Sequence, residues 1–394
     1  MLDLSTSTTK ADALDRIARH AATMVAEPPD AWLLGFGLRV NAFTDDPSWP
    51  RALELDRIAL DRPCCIMSFD HHSVVASTAV LAACAIAPGT ADPPGGVICR
   101  DPAGDPDGVL LEAAAMLAWN AAPQPSPSQW RRHVEAGLAD LASHGFNEVH
   151  DLLSPSWLGP LLATLDDDGR LPMPVRLHAP LESLQQQARA GWSRQRVRLA
   201  GGKVFADGTL NSRTAWTLVP FADPLPGHPC GTPLMDRPSL AAAMRQAHAL
   251  NLGLAVHAIG DGAVRATLDA AAETGGGGFV DGLPRLRIEH AELIDPADIG
   301  RFAAMEVVAS VQPCHLLADA PVLARQFPEH AERVLPLRRL VDSGCEPGRL
   351  LWFGSDTPIV RPHPEDSITA ATRREPRHAL TRTECEACFA TSPR

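Results

Sequence analysis

Tyrosine is absent from all 394 residues, so no phenolic acid or base takes part in any chemistry of this chain. Long apolar runs are missing too, and none approaches the roughly 18 residues that a membrane-spanning helix needs. The opening MLDLSTSTTKADALDRIARH has no basic stretch followed by an apolar one, which argues against a secretory signal. Basic charge is scarce: 35 Lys and Arg face 47 Asp and Glu, for a formal net charge of -12. With no Lys/Arg stripe, a nucleic-acid partner is excluded. The nine cysteines are scattered rather than spaced as a disulfide framework, and a reducing cytoplasm is expected. Cys385 and Cys388 frame a CxxC with no second such pair nearby, so an ordinary helix is expected there.

What is present is a globular mixture, 45% hydrophobic and 21% charged, long enough for one large barrel or two ordinary domains. Leu14, Ile17, Ala18 and Ala21 recur at helical spacing and predict an amphipathic helix from Thr9 to about Ala26. Strands are expected at 31–37 and 63–70, and the Pro/Gly/Asp-rich stretch 88–108 is expected to be loop. Seven further strand candidates follow in a regular rhythm, at 146–153, 174–181, 202–208, 254–261, 285–291, 307–313 and 350–356, with helices such as 239–250 and 262–273 between them. That alternation implies a parallel sheet with helices outside, and polar residues at strand ends favour a closed (β/α)8 barrel over an open sheet. No glycine-rich fingerprint follows the first strand, which disfavours a nucleotide-binding open sheet, and GGGG at 275–278 follows a helix and reads as a connector. The expected division is 1–130, an N-terminal helix with an inserted α/β segment, and 131–394, the barrel strands and their helices.

The chemistry-bearing residues cluster at strand ends. His257 in LAVHAIGD, His290 in RLRIEHA and Asp356 in LLWFGSD each close a short apolar run, with His257 and His290 one strand-helix unit apart and Asp356 about two units later. Side chains delivered from the ends of successive parallel strands converge, which is how a barrel builds a metal site. Asp356 can be a ligand, a base for a bound water, or a helix cap. Lys203, in GKVFADG, is either a ligand-side residue or the partner of Asp207 or of another carboxylate near the strand end. Asp261 is expected to cap the helix that follows His257. Glu289 and His290 alternate along a strand, so only one of them is expected to face the centre. His71 and His72 are likewise adjacent. His72, His150, His178 and His315 are candidates for the pocket lining.

In order along the chain, WLLGFG, the DRP and DHHS segments, GGVICRDPAGDPDGVLLEAA, GKVFADGTLNSRTA, AVHAIGDGAV, RIEHAELI, ASVQPCH and FGSDTP resemble the amidohydrolase superfamily, in the family-3 branch typified by N-substituted formamide deformylase. The resemblance covers about residues 12 to 390. It implies a distorted (β/α)8 barrel and hydrolysis of non-peptide C–N bonds, of amide or formamide type, by a hydroxide held on one or two divalent metals, zinc foremost. By position, Lys203 matches the carboxylated lysine that bridges two metals, while His257, His290 and Asp356 match the ligands from strands five, six and eight. Asp356 would also carry the proton, and Arg213, His315, His72 and His150 would line the substrate site. The family's first-strand His-x-His pair has no counterpart in these residues. The resemblance therefore implies a barrel without its first strand, without the family's flanking β-sandwich, and with one ligand set instead of two. Two functions follow as expectations: a cytoplasmic hydrolase of a small molecule, able to self-associate, or a degenerate barrel that binds without turnover.

Overall fold

The computed structural model describes residues 1–328 and 333–390. It divides into two compact units, Met1–Pro125 and Ser126–Arg394.

The first unit holds a six-stranded mixed sheet: β1 (Leu2–Asp3), β2 (Leu33–Leu38), β3 (Cys64–Ser68), β4 (Ser73–Ala76), β5 (Gly96–Arg100) and β6 (Pro106–Glu112), in the spatial order β1-β2-β3-β4-β6-β5. The amphipathic helix is Lys10–Thr23, started by Thr9, whose hydroxyl accepts the Asp12 amide at 3.0 Å, and it buries Ala13, Ile17 and Ala21 along one face. The stretch expected to be loop contains the antiparallel pair β5 and β6. Its turn residues are real, since the Asp101 amide donates to the Asp105 carbonyl and Gly104 has φ 90°. They join two partly buried strands, GVICR and PDGVLLE, whose apolar residues the flanking Pro and Asp obscured.

The second unit is built on β7 (Val149–Asp151), β8 (Val175–Pro180), β9 (Val197–Phe205), β10 (Gly253–Ala258), the small hairpin β11 (Phe279–Val280) and β12 (Leu283–Pro284), then β13 (Leu286–His290), β14 (Val308–Val311) and β15 (Leu351–Phe353). Seven of these form one sheet, every pairing parallel, in the order β15-β14-β13-β10-β9-β8-β7. The seven strands are those expected, in the expected sequence. Sequential order without reversal follows from the helices, such as Arg237–Ala249 and Asp261–Thr274, that return the chain to the same edge. Leu254, Val256, Leu286 and Ile288 belong to the same buried cluster as Val264 and Leu268 of the helix after β10.

The opposite face is polar. Register aligns Phe205, His257, Glu289, Ser310 and Trp352 in one row, and Lys203, Ala255 and Arg287 two residues earlier. Residues in register on parallel strands share a face, so these rows line the concave side. The curl is strong. Arg287 on β13 donates from Nη1 to His150 Nδ1 on β7 at 3.0 Å, and the His150 and Trp352 rings lie 5.8 Å apart although their strands are the two edges of the sheet. Among the described residues no backbone pairing joins β7 to β15, so the sheet is a curled seven-stranded half-barrel rather than a closed eight-stranded one. No described helix is long and apolar enough to cross a membrane.

Candidate metal centre

The turn after β10 is fixed by Asp207, which is fully buried. Its carboxylate accepts the amides of Ile259 at 3.0 Å, Gly260 at 2.8 Å and Trp216 at 2.8 Å. Asp207 is therefore a turn anchor and not the partner of Lys203. The helix cap is Gly260, where a Cβ would stand 2.0 Å from the Trp216 carbonyl oxygen. Asp261, expected as the cap, instead accepts the Leu218 amide and pairs with Arg333 at 2.5 Å.

This anchoring holds His257, which is 2% exposed, with Nε2 3.1 Å from the Gly208 carbonyl. A carbonyl only accepts, so Nε2 carries a proton there. The His290 ring stands edge-on to His257, with centroids 4.6 Å apart. Strand alternation put only one of Glu289 and His290 toward the centre, yet both reach it. His290 has φ 71° and Ala291 φ 42°, so the chain leaves the extended conformation at the histidine and swings its ring inward while Glu289 keeps its place in the concave row.

His315 stacks on His290 at 5.8 Å and 23°, and its Nε2 lies 3.5 Å from Asp356 Oδ2. His290, His315 and Asp356 each offer one ligand atom, all within 4.8 Å of one another. Among the described residues this is the group with metal-holding geometry, and it comes from the ends of three successive strands, β13, β14 and β15. His315 was expected as a substrate-facing residue. Nothing in the spacing of ASVQPCH showed that it stands between His290 and Asp356.

Lys203 is 6% exposed, and its amine lies 4.9 Å from the centroid of the Phe205 ring, which is itself 5.1 Å from the His257 ring. Burial pushes its pKa down from 10.5 to about 8, against the raising influence of the Glu289 and Asp356 carboxylates. Deeper in the concavity, Arg287 ion-pairs with Glu289, donates to Ser310 Oγ at 2.8 Å and lies over the Trp352 ring. His150 must accept from Arg287 on Nδ1, so Nε2 carries its proton and faces Glu148 Oε1 at 3.1 Å. Burial first, then the Arg287 charge, holds His178 well below the usual histidine range. Arg287 and Glu292 were not singled out from the sequence, and Glu289 was weighed only as the alternative to His290.

Two candidates stand elsewhere. Arg213 bonds Asp223 at 2.7 Å in a largely exposed pair. His72 belongs to the first unit, where Nδ1 meets Glu112 Oε2 at 2.7 Å. Cys385 and Cys388 are fully buried on the helix Arg382–Phe389, and burial pushes the Cys385 thiol up to about 11.

With this geometry in hand, comparison with known proteins is decisive on ancestry. The amidohydrolase family model matches residues 1–390. The chain belongs to the amidohydrolase family. It is 26% identical to N-substituted formamide deformylase of Arthrobacter pascens over 92% of this chain and 68% of that protein. It is 30% identical to the LONG AFTER FAR-RED 3 protein of Arabidopsis thaliana over 88% of this chain and 61% of that one. An uncharacterised metal-dependent hydrolase from Pyrococcus furiosus shares the fold, with a TM-score of 0.69 at 24% identity over 99% of this chain and 79% of that one.

Proposed function

We propose that this family member is a metal-dependent hydrolase of non-peptide C–N bonds, with small amides or N-substituted formamides as substrates. The observation that carries the reading is the convergence of His257, His290, His315 and Asp356 at consecutive strand ends. Imidazoles and a carboxylate within 4.8 Å fit a divalent cation, and two histidines with one carboxylate match a catalytic zinc with an open fourth position. Bound there, a divalent cation supplies Lewis acidity toward a carbonyl and brings a water's pKa down toward neutrality.

The chain's own residues do the rest. Asp356, with its side chain 31% exposed, reaches solvent and takes the proton of the attacking water as the C–O bond forms. The same proton passes to the leaving nitrogen as the C–N bond breaks, giving a carboxylic or formic acid and an amine. His257 and His290 hold the approach to the carbonyl, and the Phe205 and Trp352 rings limit water on the concave side. Lys203, unbonded through its amine among the described residues and readily neutral, fits the carboxylated lysine that the family resemblance implies. In this reading the curled sheet is a (β/α)8 barrel that lacks its first strand.

The test is hydrolysis of a panel of N-substituted formamides and simple amides, read as formate or amine release. The protein is stripped with a chelator and then reloaded with zinc, manganese or cobalt. Chelator-sensitive release, restored by one of these ions and lost in Asp356→Asn, is expected. Absence of release from a fully loaded, folded protein across the panel would overturn the reading and leave a barrel that binds without turnover.

A further inference from the structure

We propose that Gln312 selects the amide: its Oε1 accepts the N–H of the scissile group, so that primary and N-monosubstituted amides are turned over in preference to N,N-disubstituted ones. The inference rests on the hydrolase reading above and names the substrate class of that same centre.

Gln312 directly follows β14. Ser310 stands in the concave row with Glu289 and Trp352, and Gln312, two residues on, keeps that face one layer nearer the mouth. Three contacts set it among the residues of the centre. Its own carbonyl accepts the His315 amide at 3.0 Å. On β15 the Gly354 amide, two residues before Asp356, donates to the Val311 carbonyl at 3.0 Å, and a Cβ at Gly354 would lie 3.6 Å from Gln312 Nε2.

The side-chain amide is oriented by what it touches. One end lies 3.3 Å from the Ser310 carbonyl oxygen, which only accepts, so that end is the NH2 and the other is Oε1. Gln312 is 4% exposed, and among the described residues Oε1 meets no donor. A buried acceptor without a donor is costly, and folded chains keep few. The way to solvent is close, since Asp356, two residues past Gly354, keeps 31% of its side chain exposed.

A tertiary amide brings only a carbonyl oxygen, a second acceptor, against Oε1. A primary or secondary amide brings the N–H that Oε1 lacks. Held by that hydrogen, the nitrogen keeps its lone pair turned away from Gln312 as the carbon becomes tetrahedral, and there it takes the proton carried by Asp356. The C–N bond then breaks with its electron pair on nitrogen, and the amine leaves. As the proton arrives the nitrogen becomes cationic and its hydrogen bond to Oε1 charge-assisted, so the contact is stronger in the transition state than in the bound substrate and raises kcat.

The experiment compares kcat/KM for N-butylformamide and N-butyl-N-methylformamide, read as formate release by the zinc-loaded full chain, in the parent, Gln312→Met and Gln312→Glu. Taking the ratio of the two substrates within one protein cancels differences in folded fraction and metal content. The parent is expected to favour the N–H substrate, and Gln312→Met, which keeps the bulk but not the acceptor, to lower the ratio about 10- to 100-fold, mainly through kcat. Gln312→Glu, which keeps an acceptor, is expected to retain the preference at a lower rate. A ratio in Gln312→Met within about 3-fold of the parent's would overturn the proposal and leave the hydrolase reading intact. A folded, loaded parent that releases formate from neither substrate would sink both.

Discussion

Replacing Asp207 with Ala removes a carboxylate that accepts three amides, two in the turn that follows His257 and one from Trp216. The Ile259, Gly260 and Trp216 N–H groups are 2.8 to 3.0 Å from its carboxylate, and Asp207 itself is fully buried. A buried amide left without an acceptor costs about 1 to 3 kcal/mol, and neighbouring groups relax enough that three give about 3 to 6 kcal/mol together. Against a total stability of about 5 to 15 kcal/mol, that is a large fraction. Asn is not a rescue. Its oxygen can accept one or two of the amides, but its NH2 then faces another donor, so Asp207→Asn should fall between Ala and the parent. Urea unfolding followed by far-UV circular dichroism measures this, and a loss of 3 kcal/mol with a slope of about 3 kcal/mol/M moves the midpoint down by about 1 M. Midpoints of both variants within about 0.2 M of the parent would show that Asp207 is not the anchor of this turn.

Two other outcomes follow from burial. Lys203 has its folded pKa depressed from 10.5 to about 8 by burial, so the unfolded chain binds the extra proton between those values and stability rises with pH across that window. Below pH 8 the buried ammonium carries the full penalty, about 3 kcal/mol at 1.4 kcal/mol per unit. Lys203→Met in chelator should therefore exceed the parent in stability at pH 7 and lose the advantage by pH 10; a constant difference in urea midpoint over that range would refute the assignment. Among the thiols, Cys64, Cys65, Cys314, Cys345, Cys385 and Cys388 are buried while Cys84, Cys99 and Cys230 are partly accessible. Native protein should thus release colour from no more than three thiols with an aromatic disulfide reagent, and all nine only in denaturant.

The parallel strands were readable because both of their faces are covered. Runs such as GLAVHA and VASV are buried at every position, so they stand out as short apolar segments between helical patterns. The antiparallel hairpin β5–β6 was not readable, because turn-forming Pro, Gly and Asp residues precede and join its strands and dominate the composition of the stretch. The histidines and aspartate at strand ends were legible for a similar reason: a polar residue that closes an apolar strand has few places to go but the mouth of the sheet.

The rest of the centre depends on two things that spacing does not encode. The first is the interior of the curl. Arg287 and Glu289 alternate with Leu286 and Ile288 as an exposed strand would, yet the face they occupy is closed by His150 and Trp352 from the two edges of the sheet, and only the curl makes that a buried site. The second is the departure from regular backbone at His290. A period of two places Glu289 and His290 on opposite faces, and two left-handed residues in succession, His290 and Ala291, cancel that rule by sending the ring back toward His257 and His315. The same turn brings Glu292 Oε1 to 3.2 Å from His315 Nδ1, a contact between residues 23 apart in the sequence. A sequence can therefore name His290 and Asp356 from where their strands end, while His315 joins them only through the fold.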